Sequence, residues 1–234
     1  MPPVAILAGG LATRLHPITA TIPKALVEVA GKPFVIRQLN YLRTQGISRV
    51  VLCVGHLGAR IREVVGRGES LGMTVSYSED GSKLLGTGGA LKKATHLLGD
   101  KFFVLYGDSF LPVNFSVVHD AFERSNKPAL MTILENKNRW DKSNVHYLDG
   151  TIREYNKHNP REEMTYIDYG LAIMKAEVMQ SNLFGQSFDL GDVYHTLSLR
   201  GNLAGLEVQN RFFEIGSHLG LKDAEQYFLT TENE

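Results

Sequence analysis

The chain has 234 residues, 43% of them hydrophobic, and its 25 lysines and arginines are balanced by 25 aspartates and glutamates. That balance excludes a surface dominated by positive charge for nucleic acid or an anionic membrane, so any phosphate contact has to come from a local cluster. The single cysteine, Cys53, excludes an intrachain disulfide, and no apolar run approaches the roughly 18 residues of a membrane span.

In chain order, Val4–Leu7 is a short apolar run stopped by Ala8-Gly9-Gly10 and predicts a buried strand. Phe34, Ile36, Leu39 and Leu42 stand at near-helical spacing over 34–44, and Gly46 ends that helix. Arg49–Val54 predicts a second buried strand, with Cys53 as a structural thiol inside it. A short helix over 59–65 is closed by Gly66, and 73–78 alternates as a third strand. Gly86 opens a turn into a helix over 86–98, 101–106 is a fourth strand ending at Gly107-Asp108, 117–124 is helical and 129–134 is a fifth strand. Strands alternating with helices predict a doubly wound α/β architecture: a Rossmann-like, mixed, mostly parallel sheet in a single domain.

The rest is less regular. Asp149-Gly150 between 145–148 and 151–155 signals a hairpin. A strand over 169–174 leads to a helix near Lys175, and 187–199 is a helix capped by Ser187 or Asp189. Strands over 203–207 and 211–215 and a closing helix over 219–229 complete the prediction. No linker divides the chain, so 1–234 reads as one domain in two halves, 1–135 and 136–234. The N-terminus shows no charged leader before an apolar stretch, and the expected location is cytoplasmic.

Three places carry chemistry. Two adjacent glycines let a ligand approach the backbone, whose successive N–H groups form an anion cradle; Arg14 adds a two-pronged phosphate contact and Lys24 a mobile point charge. The glycine-rich turn Gly86-Thr87-Gly88-Gly89 offers main-chain atoms at a helix start. Asp108, at a strand end, is a candidate Mg²⁺ ligand, because hard oxygen ligands beside phosphate suit that ion. Taken singly, a glycine pair is a tight turn and a strand-end aspartate a turn residue; it is their combination that points to a triphosphate. The eight histidines, from His16 to His218, show no zinc-binding spacing.

The string from Leu7 to Pro33 resembles the signature of the sugar-1-phosphate nucleotidylyltransferases, L-A-G-G-x-G-T-R-L-x-P-L-T-x-x-x-P-K-x-L-x-x-V-x-G-K-P. It matches at Leu7, Ala8, Gly9, Gly10, Thr13, Arg14, Leu15, Pro17, Thr19, Pro23, Lys24, Leu26, Val29, Gly31, Lys32 and Pro33, and departs at Ala12, where a third glycine is usual. The resemblance implies nucleotide binding by Leu7, Ala8, Gly9, Gly10, Gly86, Thr87, Gly88 and Gly89, with Arg14, Lys24 and Asp108 as catalytic residues. It implies Mg²⁺ on Asp108 and on Glu214, which stands for the aspartate of the family's D-[IV]-G-[ST]. Lys157, Asp168 and Gly170 match positions that line the sugar-phosphate site, so the resemblance makes 1–135 the nucleotide-binding half and 136–234 the sugar-phosphate half. Leu84 occupies the place of a base-reading glutamine and leaves the base open.

The implied reaction joins GTP or UTP to a sugar 1-phosphate. Short bacterial enzymes acting on heptose 1-phosphate or N-acetylmuramate 1-phosphate are most similar, and a homodimer is an allowed assembly. The alternative reading is a regulator of the same fold that binds nucleotide sugars without turnover.

Overall fold

A computed structural model describes residues 1–10, 15, 19, 21–180 and 184–231. Strand β1 (Val4–Leu7) is followed by a small ribbon, β2 (Glu28–Val29) with β3 (Lys32–Pro33), and by helix α1 (Phe34–Thr44). Next come β4 (Arg49–Val54), α2 (Gly58–Val65), β5 (Thr74–Glu79), α3 (Gly86–Leu98) and β6 (Lys101–Tyr106). β7 (Ser109–Phe110), α4 (Phe115–Ser125) and β8 (Ala129–Glu135) lead to the hairpin β9 (Val145–Leu148) and β10 (Thr151–Tyr155). The chain continues through β11 (Tyr166–Lys175), α5 (Leu190–Leu199), β12 (Leu203–Val208), β13 (Phe213–Glu214) and α6 (His218–Thr231).

Nine of these strands form one mixed sheet, ordered β10-β9-β11-β6-β1-β4-β5, with β8 against β11 and β12 against β8. The stretch β6-β1-β4-β5 is parallel throughout, and β11 runs antiparallel to β6. Side chains alternate between faces along a strand. Val4 and Ile6 therefore pack toward α1, α2 and α4, while Ala5 and Leu7 pack toward α3 and α5. Both faces are covered, which is why β1, β4 and β6 read as continuous apolar runs.

A third cluster joins Val27, Val29, Phe34, Phe110, Ile215, Ala224 and Phe228. It docks α6 and the β7–β13 ribbon beneath the loops that carry Lys24 and Asp108, with Phe110 ringed by Tyr41, Tyr227 and Phe228. Among the described residues no helix is long and apolar enough to cross a membrane.

The later elements differ from the sequence reading. The segment after β11 is a 3₁₀ turn, Ala176–Gln180, and the helix predicted from Ser187 starts at Leu190. Asp189 caps it by accepting the Gly191 N–H at 2.7 Å, one of the donors a helix start leaves unpaired. The strand predicted over 211–215 is only Phe213–Glu214.

Candidate active site

The carboxyl ends of β6, β1, β4 and β5 open into a cavity of about 240 Å³, where open α/β sheets receive ligands. Leu7, Ala8, Gly9 and Gly10 form its floor, Cys53, Asp80 and Leu84 one wall, and Lys24, Gly107 and Asp108 the opposite corner. Gly107 allows the two strand ends to close up. Its N–H donates to Leu7 O at 2.9 Å, and a Cβ there would meet Leu7 O and the Ala8 side chain at 2.9 Å. Burial, followed by the charge of Asp80, pushes the Cys53 thiol up to about 12, so it is a neutral wall group.

Lys24 stands on a 3₁₀ turn, Lys24–Leu26, and its Nζ lies 2.9 Å from Asp108 Oδ2. Ser109 Oγ donates to the other Asp108 oxygen at 3.3 Å. The Asp108 backbone is fixed from two sides. Ile215 N–H donates to its carbonyl at 2.9 Å, and Gln38 Nε2 donates to Tyr106 O at 2.9 Å and Ser109 O at 2.7 Å, straddling Gly107-Asp108. Gln38 is 2% exposed, so losing its amide would strand two carbonyls. We predict that Gln38→Leu costs on the order of 1–3 kcal/mol, read as a lower denaturation midpoint together with weakened turnover.

The glycine-rich turn divides. Gly86 and Thr87 line the cavity, whereas the Gly88 and Gly89 N–H groups donate to Phe188 O at 3.0 and 3.3 Å. The segment before α5 thus packs onto the start of α3, and Thr87 Oγ1 accepts the Leu190 N–H at 2.8 Å. A glycine inside a helix is ordinarily worse than alanine by about 1 kcal/mol. At Gly89 the sign reverses, because an added Cβ would sit 2.4 Å from Gln186 O and 3.0 Å from Leu85 Cβ. Gly89→Ala should lose about 1–3 kcal/mol through overpacking, seen as a lower urea midpoint with an unchanged m-value.

Lys157, Asp168 and Gly170 do not line this cavity, though Gly170 lies against Tyr106, which does. Gly170, at φ +101°, sits in an irregularity of β11, and its N–H donates to Asp168 Oδ1 at 2.9 Å. Burial lifts Asp168 to about 6 against the pull of that amide and of Lys157. Its charge in turn raises the phenols of Tyr106, Tyr155 and Tyr194, after burial. Lys157 Nζ is 2.6 Å from Asp189 Oδ2. Burial works to raise Asp189, but Lys157 and the Gly191 amide outweigh it and hold the carboxyl low.

Glu214 stands opposite Ser109 on the β7–β13 ribbon, beside Asp108. Its carboxylate accepts the Gly216 N–H at 2.5 Å and the Ser217 hydroxyl at 2.7 Å, at the start of α6. Arg14, with Ala12, Thr13, His16 and Pro17, lies outside the described residues. Asp80 is the charged cavity residue that sequence reasoning missed. The available signal was the one that picked Asp108, a carboxylate directly after a strand, but Asp80-Gly81 reads as an ordinary turn.

The family model described as nucleotidyl transferase matches residues 4–144. The chain belongs to the nucleotidyl transferase family. It is 39% identical over 111 residues to the D-glycero-alpha-D-manno-heptose 1-phosphate guanylyltransferase of Campylobacter jejuni, covering 47% of this chain and 49% of that protein. It is 28% identical over 227 residues to the N-acetylmuramate alpha-1-phosphate uridylyltransferase of Neisseria meningitidis, covering 94% and 95%. The chain spans about half the length of several curated relatives it matches, 49% of one and 52% of another. The inositol-1-phosphate CTP transferase of T. maritima superposes with a TM-score of 0.82 at 23% identity, covering 96% of this chain and 94% of that one, which shows the shared fold.

Proposed function

We propose that this nucleotidyl transferase moves a nucleotidyl group from a nucleoside triphosphate, GTP or UTP, to a sugar 1-phosphate, releasing pyrophosphate. The observation that carries this reading is the Lys24–Asp108 pair at 2.9 Å, set beside the Gly9-Gly10 floor of a cavity at the strand ends. A phosphate oxygen of the acceptor attacks the α-phosphorus. The new P–O bond forms as the bond from the α-phosphorus to the α–β bridging oxygen breaks, and that electron pair leaves with pyrophosphate. The attacking oxygen is already ionised, so no general base is needed. Catalysis is then a matter of positioning and charge neutralisation.

The Gly9-Gly10 backbone and Arg14 hold the triphosphate, and Lys24 faces the charge that grows at the α-phosphate. On the acceptor side Lys157 receives the sugar's phosphate, while Asp168 and the bulge at Gly170 meet its hydroxyls. Lys157 is held for this by Asp189.

The donor set at the Asp108 corner fits Mg²⁺. Asp108 supplies hard oxygen at the cavity wall, and this ion is commonly bound by one or two carboxylates together with substrate phosphates. An ion held there would supply neutralisation of phosphate charge, while Asp108 fixes its place. Glu214 is the second ligand in this reading, and the Gly216 and Ser217 hydrogen bonds, one to each oxygen, leave acceptor positions for a cation.

The test is a matrix of nucleoside triphosphates against sugar 1-phosphates with Mg²⁺, scored by pyrophosphate release. At least one pair should give stoichiometric pyrophosphate and nucleotide sugar. A protein that binds nucleotide sugars yet releases no pyrophosphate in any cell of the matrix is a regulator instead.

A further inference from the structure

Guanylyl- and uridylyltransferases both stand among the relatives, and the Leu84 side chain, at the cavity wall, has no polar atom to read a base. The geometry points to Asp80 as the base reader and to guanine as the base it accepts. This inference rests on the nucleotidyl-transfer reading and extends it to the identity of the donor.

Asp80 follows β5, while Asp108 follows β6, and two strands, β1 and β4, lie between. Three strand spacings separate the ends of β5 and β6 by about 14 Å, and Asp80 reaches from the β5 end over Gly55 and Gly9 into the cavity. With the α-phosphate at the Lys24–Asp108 corner, the base therefore falls at the β5 end. Among the described residues the polar side chains of the cavity are few. Thr87 Oγ1 is already engaged by Leu190, Tyr106 belongs to the Asp168 side, and Cys53 stays a neutral thiol. At the base end that leaves Asp80.

Its carboxylate is held for the task. Oδ2 accepts the Leu85 N–H at 3.2 Å and would lie 3.2 Å from a Cβ added at Gly55 and 3.5 Å from one at Gly9, so the carboxylate is seated against these two bare backbones. Burial raises the group, while the Leu85 amide and the Lys93 ammonium oppose that shift. One amide leaves most of a carboxylate's roughly four acceptor positions open.

A carboxylate accepts and cannot donate. Guanine presents two neighbouring donors, N1–H and the 2-amino group, which match both oxygens. Uracil presents one N3–H flanked by two carbonyl oxygens that repel the charge. Adenine and cytosine each set one amino group beside a ring nitrogen that also repels it. Hydrogen bonds to a charged acceptor are the strong kind, and a site that leaves a polar group unpaired discriminates against the wrong ligand.

The experiment is equilibrium binding of GTP, ITP and UTP to the wild-type protein and to Asp80→Asn and Asp80→Ala, with no acceptor present. ITP lacks only the 2-amino group. Wild type should prefer GTP to ITP about 10-fold and GTP to UTP by about 10- to 100-fold. Asp80→Asn keeps an oxygen for the Leu85 amide but adds a donor. It should lose GTP affinity about 10-fold or more while holding or gaining UTP, and thermal melting should remain as in wild type. Asp80→Ala should lose GTP without gaining UTP. Equal GTP and ITP affinity, a wild type that prefers UTP, or a GTP-to-UTP ratio unmoved by Asp80→Asn overturns the assignment and leaves nucleotidyl transfer standing. A wild type that binds none of the three overturns both.

Discussion

Asp108→Asn should lower kcat/KM by at least about 10²- to 10³-fold, the loss typical of removing one preorganised charge-stabilising group from an active site. The fold should survive. The Asp108 backbone is held by Ile215 N–H on its carbonyl and by the Gln38 amide on either side, and none of these contacts involves the carboxylate. Asparagine has the same shape and retains an oxygen for Ser109, but it loses the charge that faces Lys24 and a hard cation. Pyrophosphate release and a melting curve on the same preparation separate the two effects. Full activity at an unchanged melting temperature would remove Asp108 from the chemistry.

Lys24→Met should reduce kcat on the order of 10²-fold with a smaller change in the KM for the triphosphate, because its charge is proposed to act on the transition state more than on the ground state. The Lys24 side chain is 17% exposed and lies over Asp108. Methionine keeps the stem and removes only the ammonium. Arginine should not restore the rate, since a planar fork cannot replace a compact point charge in the same space. Because Lys24 and Asp108 touch, the double variant should be little worse than the weaker single one. A variant in which KM alone rises would make Lys24 a binding group without a catalytic role.

The parallel half of the fold was legible because burial on both faces writes itself into the sequence. β1, α1, β4 and β6 match their predicted ranges residue for residue. Where local geometry depends on a distant partner, the reading slipped. β11 begins at Tyr166, three residues before the predicted start, because Asp168 takes the Gly170 N–H in the bulge and breaks the alternation. α5 starts at Leu190 because the residues before it pack on the glycines of α3.

The candidate site divides along the same line. The Gly-Gly floor and Lys24 belong to one motif and could be read together, and the structure places Lys24 against Asp108, outside that motif, across a separation of 84 residues. Asp80 could not be found that way, because nothing local says that β5 lies at the end of the row β6-β1-β4-β5. Glu214 was placed by its motif alone, and the structure adds what the motif does not show, that its oxygens accept from Gly216 and Ser217.

The central claim is that an acceptor phosphate attacks the nucleotide's α-phosphorus in this cavity. The most direct measurement uses sugar 1-phosphate carrying ¹⁸O in its phosphate, with both products analysed by mass spectrometry. All of the label should appear in the nucleotide sugar and none in the pyrophosphate. Label in the pyrophosphate, or triphosphate cleavage that leaves the sugar 1-phosphate unchanged, would contradict it.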